Sequence, residues 1–239
     1  MSPLACHAPR HRARRPHAAQ AVRVTTPMPA CLLVSAAFAV AYGVANRLTS
    51  ARSDIGRGVF DWERAIPFVD WTIVPYLSIC AFFAASFFVG SGRDALGRHV
   101  TRLLLALGLS LVCYAAFPLR FTFERPTTSG ALGALFALLS AVDLPYNRAP
   151  SLHISVLVIL WVRFAPLWGG LRRVALGAWF GLIALSVLTT YQHHVIDLPA
   201  GAAVGLLCVA LTRRSSPQRA VVAMAAAWRR KTDNARISY

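Results

Sequence analysis

Apolar residues in this chain gather into six runs, and the short segments between them hold almost all of the charge. The runs cover residues 31–48, 72–89, 100–117, 151–164, 174–191 and 198–211. Most are about 18 residues long, near the lower bound for a bilayer-spanning helix. The fourth is shorter, with Arg163 near its end, where a long side chain can snorkel to the interface. A further apolar run at 132–141 is too short to span and reads as an interfacial or re-entrant helix. The pattern predicts an all-α integral membrane bundle of six helices, with a short interfacial helix between the third and fourth spans.

Composition agrees. Of 239 residues, 56% are hydrophobic and 14% charged, too few polar side chains to cover a soluble domain of this size. The five cysteines show no Cys-x-x-Cys spacing, so neither a disulfide framework nor a zinc site is readable.

The net charge of +16 comes from Arg and a single Lys, Lys231. With the N-terminus placed inside, the inner segments hold Arg10, Arg12, Arg14, Arg15, Arg23, Arg93, Arg98, Arg102, Arg163, Arg172, Arg173 and the whole C-terminal group from Arg213 to Arg236. The outer segments hold only Arg47, Arg52, Arg57, Arg64, Arg120, Arg125 and Arg148, balanced by acids. This asymmetry orients the chain with both termini cytoplasmic, so the basic excess is a topology signal and no nucleic-acid partner is expected. Residues 1–29 read as a disordered Arg-rich tail, 30–212 as the membrane domain and 213–239 as a basic tail. Residues 220–228 could form an amphipathic surface helix. The Arg14-Arg15 pair does not lead into an apolar core and is not read as a twin-arginine signal; Met28 is an alternative start.

Ionisable groups at a membrane edge are functional candidates by default. Three clusters stand out: Phe117 to Pro126 after the third span, Asn147 to His153 at the start of the fourth, and Thr189 to Asp197 between the fifth and sixth. The first two share a loop, and the third lies two crossings further on. All three therefore meet at one end of the bundle, on the outer face in this orientation. His193 and Asp197, four apart, would face each other on a helical turn, with one imidazole nitrogen oriented and the other free for nucleophilic attack. His153 could serve as a general acid, and the arginines suit a phosphate. Ser151 is a good N-cap, and the helix it starts would favour an anion.

At these residues the chain resembles the type 2 phosphatidic acid phosphatase superfamily of histidine-dependent lipid phosphatases and phosphotransferases. Arg125-Pro126 matches the end of the family's first motif, Lys-(six residues)-Arg-Pro. Pro150-Ser151-Leu152-His153 matches Pro-Ser-Gly-His except at Leu152. Ser186, His193 and Asp197 fit Ser-Arg-(five residues)-His-(three residues)-Asp. The resemblance covers roughly 72–211. It implies His193 as the nucleophile, Asp197 as its partner, His153 as the acid and Arg125 as a phosphate ligand; no metal or other cofactor is implied. Pro118 and Val187 stand where the family has Lys and Arg, and Arg120 and Arg148 are the expected substitutes. Ser151 joins the phosphate-binding set, with Gln192, His194 and Ser186 as further substrate contacts.

The expected activity is metal-independent lipid-phosphate hydrolysis through a phosphohistidine, in a bacterial-type inner membrane. The similarity is closest to inositol phosphorylceramide and sphingomyelin synthases, and to membrane domains fused to dual-specificity phosphatases. The alternative is therefore transfer of a phospholipid headgroup to a lipid hydroxyl. The expected partners are a lipid-phosphate substrate and membrane lipids, with oligomeric state open. Rival classes are a bis-histidine haem protein and a non-catalytic transporter or scaffold.

Overall fold

The computed structural model describes residues 26–90 and 92–213, and most of the two tails (1–25 and 214–239), with the surface helix expected at 220–228, lies outside them. The described residues form seven α-helices, joined by short 3-10 turns and, apart from two isolated bridges, without β-structure. They are α1 (Pro27–Ser50), α2 (Ile73–Ser86), α3 (Arg93–Ala116), α4 (Gly130–Val142), α5 (Leu152–Phe164), α6 (Gly170–Thr189) and α7 (Asp197–Leu211).

Each of the six apolar runs is a helix, and the short run at 132–141 is α4. α1 already begins at Pro27, with proline in the first turn where its missing N–H costs nothing, so residues 27–29 belong to the helix rather than the tail. α3 starts seven residues earlier than its apolar run and takes in Arg93, Arg98 and Arg102. Those arginines lie on a helix whose other positions (Leu96, Gly97, Val100, Leu103) are buried. Hydropathy averaging misses such a polar first turn. Three helices, α1, α3 and α6, are long and apolar enough to cross a membrane. α2, α4, α5 and α7 are shorter apolar helices. At 1.5 Å per residue, a 15-residue helix such as α7 extends roughly 22 Å.

α5 is the central element. It packs on α2, α3, α6 and α7 and buries Ile154, Val156, Ile159 and Leu160 among them. α1 is peripheral, packs on α3 and leaves Leu32, Leu33, Val40, Val44 and Leu48 exposed. An aliphatic face of that kind is costly in water and suits lipid.

The closest approach is between α5 and α7. A β-carbon at Gly201 would stand 2.4 Å from the Ser151 carbonyl oxygen, and one at Gly205 2.8 Å from that of Ser155. Two glycines four apart thus let the α7 backbone lie against α5, the small-residue device by which helix backbones approach closely. The Ser155 hydroxyl uses this proximity to donate to the Gly201 carbonyl, 2.8 Å away. This contact brings the first turn of α7 to the first turn of α5.

Candidate functional site

The chain reverses sharply after α6. Tyr191 takes a left-handed conformation, φ 55°, and the amides of Gln192 and His193 both donate back to the Val187 carbonyl. A left-handed tyrosine costs about 1–2 kcal/mol. It is held by its ring, packed against Phe68, Phe121 and Phe123, and by its hydroxyl, which donates to the Ile66 carbonyl at 2.9 Å. The reversal delivers His193 to the start of α7. His193 and Asp197 do meet, but across an open turn: His193 is not helical and Asp197 opens α7.

The His193 ring is held at both nitrogens. Nδ1 lies 3.1 Å from Asp197 Oδ2, and Nε2 lies 3.1 Å from Ser151 Oγ. Ser151 caps α5: its Oγ accepts the Ile154 amide at 3.3 Å, so its own proton is available to His193 Nε2. That assigns the Nδ1–H tautomer, with Nδ1 donating to Asp197. Asp197 is 1% exposed, and its Oδ2 also accepts the His194 amide at 2.9 Å. A buried carboxylate needs such donors to remain charged.

His153 lies in the first turn of α5, two residues beyond the Ser151 that meets His193 Nε2, and its ring is stacked on Tyr76 at 4.3 Å. Its Nε2 is buried and makes no hydrogen bond with any described residue. An imidazole nitrogen with an open valence beside a nucleophile candidate can carry a proton to or from a bound oxygen.

The cations divide. Asn147, left-handed at φ 58° and anchored by Thr49 Oγ1 at 2.7 Å, turns Arg148 inward, where it is 3% exposed. Arg148 pairs with Asp143 at 3.4 Å and donates to the Leu144 carbonyl at 2.9 Å, while its Nε has no partner. Burial lowers the Arg148 pKa, but Asp143 and its neighbours more than offset this, and the net direction is upward. Arg125 donates to the Thr190 carbonyl at 3.2 Å and to Ser140 at 3.1 Å, and its guanidinium covers the Phe136 ring. Burial, reinforced by the Arg148 charge, pulls its pKa down. Gln192 lies between these two arginines: its amide oxygen accepts from Arg125 and its nitrogen donates to Asp143 at 3.2 Å. Arg120 is tied through its backbone to Gly56 and Tyr146, and its guanidinium makes no hydrogen bond or ion pair with any described residue. It is a half-buried cation open to a ligand.

The sequence-derived residues do not all converge. His193, Asp197, Ser151, His153, Arg125, Arg148 and Gln192 form one polar cluster. Ser186 is fully buried a turn below it, and its hydroxyl donates to the Ile183 carbonyl at 2.6 Å, within its own helix. His194 turns away from His193, with its Nδ1 on Glu63 at 2.9 Å and its Nε2 on Thr122 at 3.2 Å.

Three residues of this region were not legible as such. Glu63 counts in the sequence only as an acid that balances the outer loops, and nothing local marks it. Tyr76 reads as an apolar-run residue and Tyr42 likewise, yet Tyr42 donates to Asp143 at 2.8 Å. Asp143 is different: the sequence already offers it and Glu124 as pairing partners for the outer arginines, and it does pair with Arg148.

Among the described residues, no three His, Cys, Asp or Glu side chains form a metal-ligand cluster. No protein-family model matches the chain, and no curated protein matches it.

Proposed function

We propose that this chain is a membrane enzyme that cleaves a lipid phosphate through a phosphohistidine on His193. The observation that carries the reading is the His193 ring, fixed at Nδ1 by Asp197 and meeting the Ser151 hydroxyl through Nε2. An imidazole held this way is a pre-oriented nucleophile.

The chemistry balances with groups at the site. A phosphate binds between Arg125, Arg148 and Arg120, and Ser151 turns its proton from His193 to a phosphoryl oxygen. His193 Nε2 then attacks phosphorus, forming the P–N bond as the P–O bond to the lipid breaks. His153, protonated, gives its proton to the departing oxygen, and Asp197 stabilises the charge gained by His193. In the second half, neutral His153 takes a proton from water. The hydroxide attacks phosphorus, the P–N bond breaks, and His153 is again protonated. The guanidinium groups balance the negative charge that builds on the phosphoryl oxygens.

In this reading α2, α5 and α7 cross the bilayer with α1, α3 and α6 as a six-span bundle of type 2 phosphatidic acid phosphatase kind. α4 lies at the interface. The charge asymmetry supports a site on the outer face with both termini cytoplasmic, and the membrane in this reading is a bacterial-type inner membrane. The acceptor in the second half decides between hydrolysis and headgroup transfer: water gives inorganic phosphate, a lipid hydroxyl a new phospholipid.

A second reading is favoured by one observation. Ser151, His193 and Asp197 also stand in the order of a serine hydrolase relay, in which Ser151 would be the nucleophile and His193 its base. Ser151 being fully buried in the cap of α5 disfavours it.

The test is phosphate release by purified full-length protein in detergent, with EDTA present, from phosphatidic acid, phosphatidylglycerol phosphate and a polyprenyl diphosphate. Release that survives EDTA and disappears in His193→Ala supports the reading. Equal release from both proteins refutes it, and a labelled lipid product without free phosphate moves it to the transferase form.

A further inference from the structure

A second hydrogen-bonded chain lies behind the first, and the proposed chemistry makes no use of it. It starts in the loop between α1 and α2, where a 3-10 turn (Asp61–Ala65) carries Glu63. Glu63 is 1% exposed. Its Oε1 accepts the Phe60 amide at 3.0 Å, closing its own turn. Its Oε2 accepts His194 Nδ1 at 2.9 Å and the Val195 amide at 3.0 Å. Three N–H donors thus converge on one buried carboxylate, 131 residues away in sequence from the histidine it meets.

His194 passes this hold on. With Nδ1 donating to Glu63, its Nε2 is the acceptor for the Thr122 hydroxyl at 3.2 Å. Its ring is stacked on Phe121 at 4.5 Å and meets the edge of Phe123 at 5.0 Å. Its backbone amide donates to Asp197 Oδ2, the same oxygen that receives His193 Nδ1. The two carboxylates therefore grip the turn from opposite sides: Asp197 from within α7, Glu63 from another loop.

We infer that Glu63 is a positioning residue: acting through His194, it fixes the turn that holds His193 against Asp197. This rests on the reading of His193 as the nucleophile. A turn that is neither helix nor strand has few bonds of its own to hold it. Here the His193 and Gln192 amides are tied to Val187 on one side, and Glu63 takes Val195 and His194 on the other. A nucleophile displaced by about 1 Å can lose up to roughly a hundredfold in rate.

Glu63→Gln tests this with little change in shape. The amide keeps one acceptor oxygen, but its NH2 group must face one of the three N–H donors. Two readouts are compared in the full-length protein: kinetics, and 15N NMR of its histidine rings. The expected result is loss of the His194 Nδ1–H signal bonded to carboxylate together with a shift of the His193 ring signals. The kcat falls about tenfold or more, while KM for the lipid phosphate changes less than about twofold, because no phosphate ligand is altered.

A Glu63 that merely anchors its loop would lower the melting temperature and leave the His193 signals in place; that result overturns the inference, as does an unchanged kcat. If Glu63→Gln does not fold, Glu63→Asp keeps the charge on a shorter arm and is expected to shift the same His193 signals by a smaller amount. Unmoved signals in that variant overturn the inference equally. A wild type inactive on every phosphate would refute the proposed function, and the NMR comparison would still decide whether Glu63 acts on His193.

Discussion

Ser151 and Asp197 are joined through their backbones: the Ser151 amide donates to the Asp197 carbonyl at 3.0 Å, tying the first residue before α5 to the first residue of α7. Each brings a side chain to a different nitrogen of the same imidazole. The distance between the two helix starts thus sets whether His193 can be held at both ends. Gly201 sets that distance, because nothing larger fits between the α7 backbone and the Ser151 carbonyl.

Gly201→Ala therefore forces the two helices apart, since the contact atom is backbone and cannot swing aside. The expected result is a loss of phosphate release of about a hundredfold, with a lowered melting temperature. Gly181, which has open space at its β-carbon position, is the control: Gly181→Ala in α6 leaves activity unchanged. Wild-type activity in Gly201→Ala would contradict the proposed role of the contact.

Ser151 separates the two nucleophile readings. It accepts the Ile154 amide as an N-cap, so Ser151→Ala costs about 1 kcal/mol of stability whichever reading holds. If His193 is the nucleophile, removal of this hydroxyl takes away a phosphate contact and lowers the rate about tenfold, within the range for one hydrogen bond to a charged group. Rate loss in Ser151→Ala as complete as that in His193→Ala would transfer the nucleophile role to Ser151.

Arg125 gives a pH signature. Burial and the Arg148 charge lower its pKa. A group of this sign is charged below its pKa and loses its charge as pH rises through it. Arginine starts far above the working range and keeps its charge throughout it, whereas a lysine there starts from about 10.4, and burial beside Arg148 disfavours its charge too. Arg125→Lys is thus expected to retain much of its activity near neutral pH and to lose it on the alkaline side before the wild type does. Parallel pH–rate profiles for the two proteins would show that the charge at 125 does not act on the phosphate.

Much of the architecture was legible because long apolar helices write themselves as apolar runs. Each run became a helix, and the Ser151 cap appeared where a serine precedes an apolar stretch. The meeting of His193, Asp197 and Ser151 follows from the order of the helices, since α5 and α7 both begin at that end of the bundle. What stayed hidden depends on contacts that no local pattern encodes. Glu63 meets His194 only because the first loop folds over the end of the bundle. Arg148 reaches Asp143 from a buried position because Asn147 turns left-handed and sends the guanidinium inward. Ser186 fits the motif spacing, but the helix continues through it, so its hydroxyl is spent on Ile183. Arg120 is half-buried, and its guanidinium makes no hydrogen bond or ion pair with any described residue.

The central claim is that phosphorus is bonded to His193 Nε2 during turnover. The direct measurement is intact-mass and fragmentation analysis of protein quenched in alkali, where a phosphohistidine survives. The reagent is a nitrophenyl phosphate ester, whose leaving group departs without a proton, used with His153→Ala. That variant can then form the intermediate, but it lacks the base that hydrolyses it. The account predicts one added phosphoryl group, mapped to His193, lost in acid and absent when His193 is also replaced by alanine. A phosphoryl group on Ser151, or ester cleavage by the wild type with no phosphoryl group on His193 in either protein, would contradict it.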